Sequence, residues 1–446
     1  MSQPLVLPEV VASMLASFAP VFTKPSFETF RHYVGALMLG EGRRTGAAIA
    51  RSSAEAKSQG VYPRLCSRAR WSAAALLEQL WALLLSTLPW PRDEQGRLRI
   101  WTAIDDSVIA KTGKKIPGLA YHFHHNAGKD QRAWPFLFGH CWVTLGVVWP
   151  TVTRALCFPL RAALYLRAKD CALPEFRKKT RLASACGGLA AVRWPAQVCL
   201  YVLADGAYAS GEFFRGVRAL GHHLLTRLKC NADVRWPAPA KQPGQRGRPR
   251  LYGEKVDLTR YHDSHRQEAP VRIGAQHYLA SFSFLDAVPR RFGELCRILI
   301  VDLPKHQRAV LLSTDLALSP VEIIERYALR FAIEIAYREL KQRFGWGHYQ
   351  VRSREGIERH VALSFVACSL TTLLLLQRDD QQMARPTAAM ATGKACLATV
   401  GEMRRALQGA ALLAWLFRIM GRNALQRKNT LLVQLHHPLL QGMAGV

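Results

Sequence analysis

Apolar residues in the first part of the chain recur at helical spacing, in FETFRHYVGALML (27–39) and again from Trp71 to Leu88, where Pro89 blocks continuation. Ser72 stands where the second helix needs an N-cap, and the basic loop GEGRRTGAAIARS (40–52) separates the two. Residues 1–95 are therefore expected to form a helical region, either a DNA-binding domain or a helical cap. From Leu98 the pattern changes to strands: LRIWTAI (98–104), CWVTLGVVW (141–149) and VTRALCF (152–158) follow in succession. VCLYVLA (198–204) is apolar on both faces, as covered parallel strands are. A cap at Ser210, a short helix through Val217, Gly221 and the strand LLTRL (224–228) then complete a βαβ unit.

Residues 236–318 alternate differently, with HYLASFSFL, RILIVDL and AVLLSTDL, and read as a mostly β insertion. A long helix opens at Ser319, and the chain is helical again from about residue 355, apart from a linker-like stretch at 379–394. The expected organisation is an α/β core in 96–235, the insertion in 236–318, a helix in 319–355 completing the core, and a helical C-terminal region in 356–446.

Charge narrows the function. The 446 residues carry 61 Lys and Arg against 32 Asp and Glu, a net +29 spread along the whole chain, which favours a polyanionic partner. The N-terminus lacks the basic region of a secretory signal, and neither a basic amphipathic helix nor a lipidation signal stands out. Val361–Gln377 is short for a membrane span and reads as a buried core helix. The ten cysteines show neither zinc-ribbon nor disulfide-framework spacing, which fits reduced thiols in a cytoplasm. Nucleic acid is the expected partner, and no membrane is.

Candidate chemistry lies where apolar strands end on carboxylates. LRIWTAI runs into Asp105 and Asp106, and VCLYVLA into Asp205, at the edge where α/β sheets bind ligands. Consecutive residues of a strand point to opposite sides, so only one of Asp105 and Asp106 can face a common site; both stay open here. The third acid comes from SPVEIIERYALRFAIEIAYRELKQRFGWG, whose Ser319, Pro320 and Glu322 make a capping box. Advancing by about 100 degrees per residue places Tyr327, Arg330, Glu334, Arg338 and Lys341 on one polar stripe. Leu329, Ile333, Ala336 and Leu340 fall on the opposite face, and Glu339 lies off the stripe. The helix register thus selects Glu334. A plain exposed helix laced with pairs such as Glu334–Arg338 is the competing account of these charges.

Tyr327, Arg330, Glu334 and Lys341 reproduce a Y-x2-R-x3-E-x6-K box at every spacing. Together with IDDSVIAKTGKKIPG and LADGAYASGEFFRGV, they resemble the insertion-sequence transposases of the DDE class, over roughly residues 98–370. That resemblance implies a ribonuclease H-like mixed sheet, with three antiparallel strands, then the βαβ unit, then the Glu-bearing helix. It also implies two divalent ions, usually Mg2+ with Mn2+ as substitute, held by Asp105 or Asp106 with Asp205 and Glu334. The implied partners are transposon-end and target DNA, bound by a homodimer in a bacterial, nucleoid-associated setting. Tyr327, Arg330, Lys341 and, by extension, Arg338 are expected to touch DNA near the cleavage point. A catalytically inactive DNA-binding protein and a nuclease of the same fold without strand transfer are the rival functions.

Other basic residues are expected on the DNA backbone: Lys114 and Lys115, with Lys111, in the turn after the first Asp block, and Arg246 and Arg248 in RGRPR (246–250). His122, His124, His125 and His140 match no closed zinc spacing. Trp346 fits burial at a helix exit better than stacking on an extruded base.

Overall fold

The computed structural model describes residues 6–52, 58–113, 115–123, 135–168, 177–183, 188–240, 248, 250–303, 307–384 and 399–426. The chain divides into two compact units. One comprises Met1–Thr87, Ile109–Tyr121 and Ala336–Val446, and the other Leu88–Val108 and His122–Ile335.

The first unit is helical: α1 (Glu9–Ala16), α2 (Lys24–Leu39), α3 (Gly46–Ser52), α4 (Val61–Ser67) and α5 (Ala73–Thr87) precede the sheet in sequence. Pro89 and Ser72 act as expected, since α5 stops at Thr87 and the Ala75 N–H donates to Ser72 Oγ at 3.4 Å. A 31-residue helix, Arg354–Ala384, supplies the core, and Val361–Leu376 within it is buried throughout. This helix is long and apolar enough to cross a membrane, but 94 % of its apolar window lies inside the fold. It also runs through Ala384, so the first part of the stretch read as a linker is helical; 385–394 fall outside the described residues. Buried arginines tie the helices by donating to backbone carbonyls: Arg359 to Cys66 at 3.0 Å, and Arg404 to Met38 at 2.8 Å near the end of α2.

The second unit holds most of a sheet. Its strands are β1 (Leu98–Ala110), β2 (Ala120–Phe123), β3 (Phe136–Pro150), β4 (Ala155–Tyr165), β5 (Val198–Ala204), β6 (His223–Leu228), β7 (Val234–Arg235), β8 (Gln267–Ile273), β9 (Gln276–Pro289), β10 (Cys296–Leu303) and β11 (Gln307–Ser313). The order is β2-β3-β1-β5-β6-β11-β10-β9-β7, with β4 on β3 and β8 on β9. β3 and β4 are antiparallel, whereas β5 is parallel to both β1 and β6. The order β4-β3-β1-β5-β6 gives the mixed ribonuclease H-like core. Ile100–Ile104 and Cys199–Ala204 are buried on both faces, which explains their unbroken apolar runs.

Between β4 and β5 lies a short turn of helix, α6 (Lys179–Arg181). The βαβ crossover is α7 (Gly211–Ala219), capped by Ser210 Oγ accepting from the Phe213 N–H at 3.2 Å, and Gly221 turns the chain with φ +75°. The insertion is not a separate layer. β11 pairs antiparallel with β6, Val310 opposite Leu228, and so carries the insertion's strands onto the core sheet. The insertion also contains a helix that the alternating pattern hid, α8 (Leu258–Ser264), capped by Asp257.

The Glu-bearing helix differs from the expectation of one straight rod. The capping box at Ser319 is present, but the helix breaks into α9 (Pro320–Ala328) and α10 (Phe331–Gln342). Leu329, Arg330, Ala332 and Ile333 donate to the carbonyl three residues back, at 3.0–3.1 Å, which is 3-10 rather than α bonding. A uniform step of 100 degrees therefore fails across 328–331, and the single five-residue stripe is corrected. Leu329 is only half-buried, whereas Ile333, Ala336 and Leu340 are buried as expected.

Candidate active site

The register of the two parallel strands sets Asp105 level with Asp205. Ile104 pairs with Ala204, so Asp105 follows on β1 at the level where Asp205 follows β5. Asp205 keeps an extended backbone (φ −70°, ψ 163°) before the chain turns into a 3-10 segment, Gly206–Tyr208. Asp106 points to the other side of the strand. There its Oδ2 accepts from Lys179 Nζ at 2.7 Å, and its Oδ1 accepts from the Tyr208 hydroxyl at 3.2 Å.

Arg330 gathers the three remaining carboxylates. Its side chain is 9 % exposed, with Nη1 3.6 Å from Asp105 Oδ2 and Nη2 2.9 Å from Glu334 Oε1, and Asp205 lies within its electrostatic reach. Burial works against the Arg330 charge, but Tyr327, Asp105, Glu334 and Asp205 together hold its pKa above the ordinary value. Asp105 is pushed up to about 7, chiefly by burial; the Asp106 N–H, donating to Asp105 Oδ1 at 2.8 Å, and Arg330 oppose the rise, while the charges of Asp106 and Glu334 add to it. Tyr327 is half-buried, and burial raises its hydroxyl, with Asp205 adding to the effect.

Among the described residues, no three His, Cys, Asp or Glu side chains stand close enough to hold one metal ion as they are. The donor chemistry nevertheless suits a hard cation: Asp105 and Glu334 pair with the Arg330 guanidinium, and Asp205 lies within its electrostatic reach. Glu334 pairs with Arg330 rather than with Arg338.

The other sequence-selected residues separate. Arg338 is exposed and lies 3.6 Å from Glu339, Lys341 is half-buried, and Glu339 is buried in an ion pair with Arg343. Lys115 and Arg248 are exposed; Lys114 and Arg246 lie outside the described residues. Lys111 is not a free cation. Its ammonium donates to the carbonyls of Gly347 and Tyr349 and sits 3.4 Å from the Tyr349 ring centroid. His122 and His140 are buried, and His124 and His125 lie outside the described residues. Trp346 is fully buried and stacks on Tyr337 at 5.4 Å, which fits packing and leaves no face for a base. Two residues at the site were not anticipated. Tyr208 stands three positions after Asp205, but Lys179 belongs to a basic run, RKKTR (177–181), with nothing to single it out.

The sequence matches the family described as DDE superfamily endonuclease over residues 17–280, more than half of the chain. It also matches the family described as Transposase DDE domain over residues 197–370. The first span contains Asp105, Asp106 and Asp205, and the second contains Asp205, Tyr327, Arg330, Glu334 and Lys341. A solved structure, a piggyBac transposase synaptic complex with hairpin DNA, is similar at 9 % identity and a TM-score of 0.39, covering 93 % of this chain and 79 % of that chain. No curated protein sequence matches this one.

Proposed function

This chain belongs to the DDE superfamily of endonucleases, and we propose that it is a DNA transposase of the subgroup with the Y-x2-R-x3-E-x6-K box, cutting and joining DNA at Asp105, Asp205 and Glu334. The observation that carries this reading is the convergence of those three carboxylates on Arg330, two of them brought level by the parallel register of β1 and β5. Enzymes of the superfamily depend on divalent metal ions. Bound Mg2+, or Mn2+, would activate an attacking water or 3′-hydroxyl and stabilise the departing oxygen.

The chain's own groups have separable tasks. Asp105, Asp205 and Glu334 supply the oxygen ligands. Arg330, whose two terminal nitrogens face Asp105 and Glu334, supplies the positive charge that would neutralise a phosphate oxygen of the DNA. Tyr327 presents a hydroxyl beside Arg330 and Asp205, suited to orienting the DNA end. Lys341 and Arg338 extend the positive charge along the box, and the exposed Lys115 and Arg248 offer further backbone contacts. The partners in this reading are the transposon's inverted-repeat ends and target DNA, engaged by two copies of the chain in a bacterial nucleoid.

The test is to incubate the chain with labelled end DNA, a target plasmid and Mg2+. Joined products are expected. Cleavage without joining would instead identify a nuclease, and binding without either would identify an inactive DNA-binding protein.

A further inference from the structure

Asp106 turns away from Asp205 and Glu334 and is bonded by Lys179 and Tyr208. Besides Lys179 and Tyr208 it receives the Cys141 thiol from β3, with Sγ 3.5 Å from Oδ2. The Lys179 ammonium also lies 5.3 Å from the Tyr165 ring centroid on β4. Tyr208 is 2 % exposed and packs edge-on against Phe213 at 5.6 Å. Its N–H donates to the Asp205 carbonyl at 2.9 Å, and Thr226 Oγ1 donates to that same carbonyl at 3.3 Å. Asp205 lies past the last residue of β5, so this turn, rather than the ladder, holds it. The tyrosine that closes the turn reaches back to the neighbour of Asp105.

We propose that Asp106 is a positioning residue: with Lys179 and Tyr208 it braces the end of β1 to the turn after β5, fixing the separation of Asp105 and Asp205 for divalent-metal binding. The proposal rests on the reading of Asp105, Asp205 and Glu334 as the metal ligands. Two physical effects support it. Outer partners that orient ligands commonly change metal affinity by roughly 10–100-fold when removed. Lys179 also neutralises Asp106, so a second uncompensated charge does not build up beside Asp105.

The experiment compares wild type with Asp106→Asn, Tyr208→Phe, Lys179→Met and Lys179→Arg in the full chain bound to end DNA. Mn2+ binding is followed by electron paramagnetic resonance, cleavage is titrated with Mg2+, and thermal midpoints report folding. Asp106→Asn, Tyr208→Phe and Lys179→Met are expected to weaken Mn2+ binding by about 10-fold or more. Their Mg2+ midpoints for cleavage should rise by a similar factor, with cleavage recovering at high metal, and Lys179→Arg should stay near wild type. Tyr208→Phe keeps the packed ring and so separates bracing from folding. Wild-type Mn2+ affinity in Tyr208→Phe and Asp106→Asn would overturn the brace. So would an Asp106→Asn that loses binding as completely as Asp205→Asn, because Asp106 would then itself be a ligand. Absence of Mn2+ binding in wild type would overturn it too. A wild type whose Mn2+ binding follows the expected pattern, but which cleaves no DNA, would leave the brace standing and refute the transposase reading.

Discussion

Glu334 and Glu339 sit five residues apart on α10 and have different work. Glu334 is half exposed and paired with Arg330, which also meets Asp105. Glu339 is 7 % exposed and serves Arg343 and Arg338. Glu334→Gln and Asp205→Asn should each abolish cleavage of labelled end DNA while leaving the thermal midpoint nearly unchanged. Glu339→Gln should retain cleavage but lose about 1–3 kcal/mol of stability in a urea melt, because it removes one partner of a buried pair. Equal loss of cleavage in both glutamine variants would show that the wrong glutamate has been assigned. At this scale the sequence narrows the first acid to two neighbours, since strand alternation forbids both from facing one site. It does not choose between them, because the choice depends on which residue of β1 lies beside Ala204, a pairing nearly a hundred residues distant along the chain.

Elements extend the same lesson. The capping box was visible as S-P-V-E, and in the fold Ser319 Oγ accepts from the Glu322 N–H at 3.2 Å while Glu322 accepts from the Ser319 N–H at 3.0 Å. Ser319→Ala should cost about 1 kcal/mol and speed amide exchange at Glu322. The break after α9 was not visible, for ALRFAIE contains neither Gly nor Pro. It accompanies a buried arginine drawn onto carboxylates, a tertiary effect that no periodicity can carry.

In the helical unit, α2 is joined to the 354–384 helix through His360. Its Nδ1 lies 2.8 Å from the Tyr33 hydroxyl and its Nε2 2.8 Å from the Gly345 carbonyl, so Nε2 bears the proton and Nδ1 accepts. Burial lowers His360 from 6.5 to about 4. The unfolded chain therefore takes up this proton first, and the His360 contribution, complete above pH 6.5, is lost as pH falls to about 4. The loss is of order 3 kcal/mol. Urea melts near pH 7.5 and near pH 4.5 should show it, and His360→Gln should reduce that dependence, leaving the share of His222 and His348, while lowering stability at the higher pH. An unchanged pH slope in His360→Gln would remove His360 as its source.

For the molecule as a whole, the parallel pairing of β5 with β6 could be anticipated from one βαβ unit. The growth of the sheet through β11 could not, because alternation identifies a strand without naming its neighbour. Charge, by contrast, needs no fold to be read. A net +29 chain binds DNA largely by releasing counterions, so log affinity should fall linearly with log salt, with a slope set by the number of phosphates neutralised. Carboxylates contribute nothing to that count. A variant combining Asp105→Asn, Asp205→Asn and Glu334→Gln should accordingly keep the wild-type slope, and bind DNA as tightly or tighter at fixed salt, while failing to cut it. Arg248→Ala removes an exposed cation and should reduce the slope by about one. Fluorescence anisotropy of an end duplex across a salt series measures both. A slope unchanged in Arg248→Ala would take the RGRPR segment off the DNA path, and a slope altered in the triple variant would mean that the carboxylates shape the DNA-bound form as well as the chemistry.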